Sequence, residues 1–325
     1  MGHFGLFPLI FPHIDMINRA LTRLKTLQVF YAHTQDENRR LSTSIKMLNE
    51  SLDQGYELYM HLLSLLTDIR YYAERRADSI EARAQRLHTP LEEVPADARL
   101  AQNKLLLVLE ENEAIQTFKR HRRELWPVGD TFLKRLTDLF TQSETFLNYI
   151  IKGNYTFEAD ADIVRELYKQ LLCDNDDLAE VLEENSIFWN DDRTVVDSFV
   201  LKTLRRFKAD SAPEMPLLPQ YDEGEGPEFG EQLLTAAVKL GPELRELISA
   251  HVKGWEFERV ALMDLLIMQQ ALAEILTFPD IPLNVTFSEY ISIAKCYSTS
   301  KSGLYVNGVL DAVVKVLKAE GKIYK

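Results

Sequence analysis

The chain has 325 residues, a hydrophobic fraction of 46 %, only 13 Gly and 12 Pro, and a formal net charge of -13. That length holds one elaborated domain or two, the hydrophobic fraction suffices for a core, and the scarcity of helix breakers points to an all-α fold. The two cysteines, Cys173 and Cys296, exclude a disulfide framework and a cysteine-based metal site, and they fit a reducing cytoplasm.

The charge is unevenly spread. Residues 16 to 34 hold three basic residues and no acid, residues 35 to 228 hold 24 basic against 38 acidic, and residues 229 to 325 hold ten against eleven. The acidity sits in the middle, so phosphate contacts are to be sought at the two ends.

Residues 1–15 read MGHFGLFPLIFPHID, with no basic residue ahead of the apolar run and no small-residue cleavage site after it. This makes a poor signal peptide and is expected to be a start-site artefact or a disordered tail. Residues 17 to 33 predict an amphipathic helix, with Ile17, Leu21, Leu24, Leu27 and Tyr31 toward a core. Arg19 and Arg23, four apart, fall together on the opposite side, beside Phe30. A two-arginine stripe is either a solvated face or a phosphate contact, and the residues alone leave both open.

One or two long helices are predicted from Asn38 to Arg86, ending at Pro90 and Pro95. Further helices are expected at 103–124, 130–151, 160–172, 178–188 and from Asn190 to Phe207. The basic end of the last one, Lys202 to Lys208, is expected to complement the helix dipole, with a second nucleic-acid patch as the alternative. Residues 209–228, with four prolines and several acids, read as a linker. Helices follow near 228–240 and 243–251, then a central helix from Gly254 to Leu276 that is apolar on nearly every face and so has to be surrounded. Asp264 is the odd residue in it, because a buried carboxylate needs an internal partner or a partner molecule. Thr286 and Glu289 have the spacing of a capping box opening a helix to Tyr297, and a last helix runs from Ser302 to Leu317.

No chemistry emerges from the motifs. The seven histidines show no metal spacing, and Gly303 and Gly308 lack the lysine a phosphate loop requires. Gly308 is expected to allow a close helix contact. The carboxylate clusters at Glu110–Glu113 and Glu183–Glu184 lie on solvated helix ends. No catalytic residue, metal site, cofactor or membrane span is expected.

The two ends of the chain resemble the bacterial transcription antitermination protein NusB. That family opens with the pattern RRxARxxALQALY, on which Arg19, Arg23, Leu27, Gln28 and Tyr31 fall, with Ala20 at the second arginine. The denser match is C-terminal: Trp255, Glu258, Arg259, Asp264 and Glu274, then Pro279 to Pro282, Glu289, Ala294-Lys295, and Tyr305 to Asp311 for FVNGVLD. The resemblance covers residues 17 to 33 and roughly 229 to 314, and the stretch between looks like the helical insertion of one family branch. It implies a NusB-like helical bundle made of an N-terminal helix (16–34) and a C-terminal part (229–325), interrupted by the acidic insertion (35–208) and the linker (209–228).

The function implied is non-enzymatic. NusB proteins bind the single-stranded boxA element of nascent ribosomal RNA transcripts together with ribosomal protein NusE, and so act indirectly on the RNA polymerase elongation complex in the cytoplasm. By position, Arg19 and Arg23 would meet phosphates and Tyr305 would stack on or beside a base, with Lys25, Lys301 and Asn307 as further RNA contacts. Asp264 and Glu258 would face NusE. Ala20 removes one expected contact and the acidic insertion could repel RNA, which leaves a protein-only scaffold for NusE or other elongation factors as the alternative.

Overall fold

The computed structural model describes residues 19–36, 38–89, 94–123, 125–126, 131–221, 226–252, 257–298 and 301–325. The expectations placed on residues 1–15 and on Trp255 lie outside this set. The described residues are all-α, with no strand. In chain order the helices are α1 (Arg19–Thr34), α2 (Leu41–Leu87), α3 (Ala96–Ala101), α4 (Lys104–Glu111), α5 (Glu113–His121), α6 (Thr131–Gln142), α7 (Glu144–Lys152), α8 (Phe157–Leu167), α9 (Asp176–Asn185), α10 (Trp189–Arg206), α11 (Glu228–Ser249), α12 (Leu262–Thr277), α13 (Leu283–Tyr297) and α14 (Ser302–Ala319).

The chain divides into two compact units. One is formed by the chain up to Asp53 together with Tyr221–Lys325, the other by Gln54–Gln220. The first boundary falls inside α2, a single 47-residue helix, and not at residue 34 where the periodicity of α1 ends.

In the first unit α12 is surrounded: every residue from Asp264 to Ile275 is buried, and the helix touches α1, α11, α13 and α14. It begins eight residues later than the apolar pattern suggests. Ala261 is extended (φ -57, ψ 134), and Phe257–Arg259 form a short 3-10 turn before it. Asp264 is therefore a first-turn residue, where the partial positive charge of the helix N-terminus favours a carboxylate.

The same unit departs from expectation at three more places. The two helices expected at 228–251 are one, α11, which runs through Pro242. The Gln269 side chain donates to the Gly241 carbonyl at 2.6 Å beside that proline. The Thr286–Glu289 pair does not cap α13, which starts three residues earlier; Thr286 is buried and donates to Glu274 instead. Gly308 has nothing within 4 Å of where a Cβ would stand, so close packing is not its role. Gly303 and Gly230 take that part. A Cβ on Gly303 would lie 3.0 Å from the Lys295 stem, and one on Gly230 would lie 2.7 Å from Thr22 Cγ2 and 3.2 Å from Leu48, where α1, α2 and α11 converge.

In the second unit the long predicted helices break at residues that cap their successors. Asn112 separates α4 from α5 and accepts from the Ile115 amide; Ser143 separates α6 from α7 and accepts from Phe146. Asn103, Thr156 and Asn175 cap α4, α8 and α9 in the same way. The last turn of the 160–172 helix is π-helical over Tyr168–Leu172. The core is formed by α2 from Leu58 to Ile69 with Leu105, Phe140, Val164, Leu182 and Val200 from the other helices.

The first half of the expected linker is held on this unit. Asn112 Nδ2 donates to the carbonyls of Pro213 (3.2 Å) and Met215 (2.8 Å), the Leu218 amide donates to Tyr59 Oη at 3.2 Å, and Leu217 and Leu218 are buried. Proline suits such a strap because its fixed φ lowers the entropy lost on ordering.

Candidate functional site

The expected RNA-binding residues of α1 do not form a solvated stripe. Arg19 is exposed, but Arg23 and Lys25 are 3 % and 1 % exposed. The close approach permitted by Gly230 turns the arginine face of α1 toward α11 and α12. The Arg23 guanidinium forks onto Glu274 of α12, Nε to Oε2 at 2.7 Å and Nη2 to Oε1 at 3.0 Å. Glu274 is fully buried and also accepts from Thr286 Oγ1 (2.8 Å) and Tyr290 Oη (3.1 Å) of α13. Gln270 completes the network, donating to the Arg23 carbonyl at 2.8 Å and to Tyr290 Oη at 3.3 Å.

This network satisfies both charges internally. Burial acts to lower the Arg23 pKa, but the hydrogen bond and charge of Glu274 outweigh it and raise it above the ordinary arginine value. Burial, then the charge of Glu274, raises the Tyr290 phenol well above its usual range. A desolvated ion pair with every lone pair used ties three helices together, and removing one partner would strand the other. Arg23, expected to meet RNA phosphates, is thus buried with its Nε and Nη2 bonded to Glu274 inside the fold.

Arg19 and Arg23 also flank one aromatic ring. Their guanidinium carbons lie 5.2 and 5.4 Å from the ring centroid of Phe229 on α11, and Phe229 lies 4.9 Å from Phe278 at the C-terminal end of α12. Arg19 is therefore level with the end of α12.

Tyr305 lies at the other end. Asp264, 6 % exposed, accepts from Ser302 Oγ at 3.0 Å, which joins the first turn of α12 to the first turn of α14. Its second oxygen, Oδ1, has no hydrogen-bond partner, and neither has the buried hydroxyl of Tyr305. Burial first, and the nearby Asp264 charge second, raise the Tyr305 phenol pKa. The carboxylate expected to face NusE thus lies buried between the first turns of α12 and α14, bonded to Ser302. The ten residues from Asp264 to Glu274 span about 15 Å at helical rise, so Arg19 and Tyr305 are not brought into one pocket.

The surface at the head of α14 is open. Lys301, Asn307 and Gly308 are exposed, Leu304 is 82 % exposed, and Tyr305 is half-buried. Glu258, in the 3-10 turn before α12, is exposed as well. Leu304 carries no signal in the sequence, since a lone leucine in an apolar helix does not say which way it faces. Glu274 could have been singled out by the argument applied to Asp264, because it too is a carboxylate in the most apolar helix. Among the described residues no helix is long and apolar enough to cross a membrane, and no group of three or more His, Cys, Asp and Glu is placed to hold a metal ion.

Comparison with known proteins adds the family. A family model described as the NusB family matches residues 214–315. The transcription antitermination protein NusB of Salinibacter ruber is 39 % identical over 98 residues, which is 30 % of this chain and 61 % of that protein. The protein of the same name from Chloroherpeton thalassium is 36 % identical over 98 residues, 30 % of this chain and 46 % of that protein. The chain therefore spans about half the length of these two relatives. The one from Halalkalibacterium halodurans is 33 % identical over 114 residues, 35 % of this chain and 85 % of that protein. No solved structure matches significantly. With a relative matched over 85 % of its length and a family model covering α11 to α14, the chain belongs to the NusB family.

Proposed function

We propose that the chain is a transcription antitermination factor that binds boxA-type single-stranded RNA of nascent ribosomal RNA transcripts together with ribosomal protein NusE. The observation that carries this reading is the outward face of α14, where the segment matching the family's FVNGVLD motif leaves Asn307 and Gly308 exposed beside Lys301 and Leu304. A helix that needed these residues only for packing would turn them inward.

In this reading Arg19 and Lys301 meet phosphates, Asn307 hydrogen-bonds a base or sugar, and the half-buried ring of Tyr305 offers a stacking edge. Arg23 and Lys25 contribute from inside, by holding α1 in place. Glu258 is the exposed candidate for NusE contact, and Asp264 supports that surface through Ser302. No step of catalysis is involved, and RNA polymerase is reached through these partners.

The alternative, a protein-only scaffold for NusE or other elongation factors, is favoured by one observation: two of the three cations of α1 are buried, which leaves few phosphate contacts. A titration of the chain with a short boxA RNA, with and without NusE, separates the two. A ternary complex whose affinity falls with salt, and whose salt slope flattens in Arg19→Gln/Lys301→Gln, is expected. Binding of NusE with no RNA affinity under either condition would leave the scaffold reading standing.

A further inference from the structure

The second unit carries a basic face of its own. Its sequence is acidic overall, yet the last turn of α5 and the two residues after it read Lys119-Arg120-His121-Arg122-Arg123. The helix dipole accounts for cations in the last turn of α5, but it says nothing about where they are aimed. Two of them are turned inward onto α2. Lys119 Nζ bonds Thr67 Oγ1 (2.9 Å) and Asp68 Oδ1 (2.7 Å), while Arg122 Nη2 bonds Asp68 Oδ2 at 2.6 Å and its Nη1 bonds Ser64. Trp126 Nε1 donates to the same carboxylate at 2.8 Å. One aspartate thus carries two cations, and the cluster is left with a positive excess.

The stripe of α2 under this cluster continues outward. Ser64, Asp68, Tyr71 and Arg75 are spaced i, i+4, i+7 and i+11, so they share one helix face, with Tyr71 and Arg75 about 4.5 and about 10.5 Å beyond Asp68. Tyr71 is 41 % exposed and Arg75 is exposed. Among the described residues Arg75 and Arg123 make no ion pair, and Arg120 makes one bond, to Thr117 of its own helix. Arg120 and Arg123 are exposed, and the Lys119 side chain retains 27 % exposure despite its partners.

We infer that Tyr71 and Arg75 of α2, with Lys119, Arg120 and Arg123 at the end of α5, form a binding face for single-stranded RNA on the second unit, separate from the α14 surface. The chemistry favours RNA over other anionic partners. Three of the four cations are arginines, whose planar forks take phosphate oxygens two at a time, and the exposed ring interleaved with them is a stacking surface indifferent to sequence.

The test uses the full chain and a labelled single strand of uridine nucleotides, which carries no boxA sequence, titrated by fluorescence anisotropy over a range of salt. Arg75→Gln/Arg120→Gln/Arg123→Gln is expected to weaken binding at least tenfold at low salt and to flatten the log–log salt slope by about two, at about 0.7 for each phosphate no longer neutralised. Tyr71→Leu should weaken binding a few-fold at an unchanged slope, and Tyr71→Phe should restore it. The same changes in a Lys301→Gln background show that the face acts independently of α14. An unchanged salt slope in the triple variant overturns the assignment. So does binding to vesicles of anionic lipid that is lost in the triple variant while RNA binding is not.

Discussion

Arg23 of α1 and Glu274 of α12, 251 residues apart, close a two-bond fork at 2.7 and 3.0 Å with almost no exposure of either side chain. The pair ties α1 to helices α12 and α13, which come from the far end of the chain. Breaking it by Arg23→Ala leaves a buried carboxylate uncompensated and is expected to cost about 3–5 kcal/mol in denaturant unfolding of the first unit. Arg23→Met combined with Glu274→Gln, which keeps a carbonyl acceptor for Thr286 and presents an amide N–H that the Tyr290 hydroxyl can accept, should recover most of the loss. A single variant within about 1 kcal/mol of the parent would mean that the pair is not coupled to folding.

Gly230 and Gly308 should respond oppositely to alanine. At Gly230 the new Cβ would stand 2.7 Å from Thr22 Cγ2, so overpacking is expected to cost about 1–3 kcal/mol, relieved in part by Thr22→Ser. At Gly308 the space is open and the backbone helical, so alanine should stabilise by about 0.5–1 kcal/mol. Thermal melts of the two variants give the comparison. Loss of RNA or NusE affinity in the stabilised Gly308→Ala variant would mark a close approach by a partner.

At Asp264 the prediction distinguishes an internal joint from a contact surface. Asp264→Asn keeps an acceptor for Ser302 and should be nearly neutral, whereas Asp264→Ala removes the joint between α12 and α14, leaves Ser302 with Ser298, and should cost about 1 kcal/mol. Asp264→Lys should lose NusE only together with a lowered melting temperature. Glu258→Lys, on an exposed site, should leave the melt unchanged and report on the partner alone.

His61 predicts a pH dependence in the second unit. It is fully buried on α2, and neither ring nitrogen has a hydrogen-bond partner of good geometry, the nearest carboxylate oxygen being Glu57 Oε1 at 3.7 Å from Nε2. Phe118, Trp126 and Trp189 surround the ring at centroid distances of 4.9, 5.8 and 5.4 Å. Burial lowers its pKa below the ordinary 6.5, opposed by Glu57 and Asp68 and reinforced by Arg122. A base with a depressed folded pKa is neutral in the native state, while the unfolded chain takes up a proton near pH 6.5. Stability is therefore full above about pH 6.5 and falls as pH drops from there toward the folded pKa. Tryptophan-monitored unfolding at stepped pH should show this slope, and His61→Leu should remove it; the same slope in the variant would assign the effect to other groups.

Much of this organisation is legible in the residues. The absence of strand patterning, the density of leucine and the largely apolar run around Leu265 to Ile275 determine an all-α chain with a surrounded central helix, because burial periodicity is written into every turn. The segments matching the family lie at the two ends, and their charge balance differs from the acidic middle. The breaks at Asn112 and Ser143 are hidden because a capping side chain and a mid-helix polar residue look alike in a single sequence. Direction is the larger omission. Helical spacing puts Arg19 and Arg23 on one face, but whether that face meets water or Glu274 depends on how α11 and α12 lie against it, and Gly230 allows the approach that buries one arginine and leaves the other exposed. Asp264 and Glu274 are equally awkward charges in sequence. Only the tertiary structure gives each its partner, since an ion pair or a joint between helices is a relation across 251 or 38 residues that no local pattern carries.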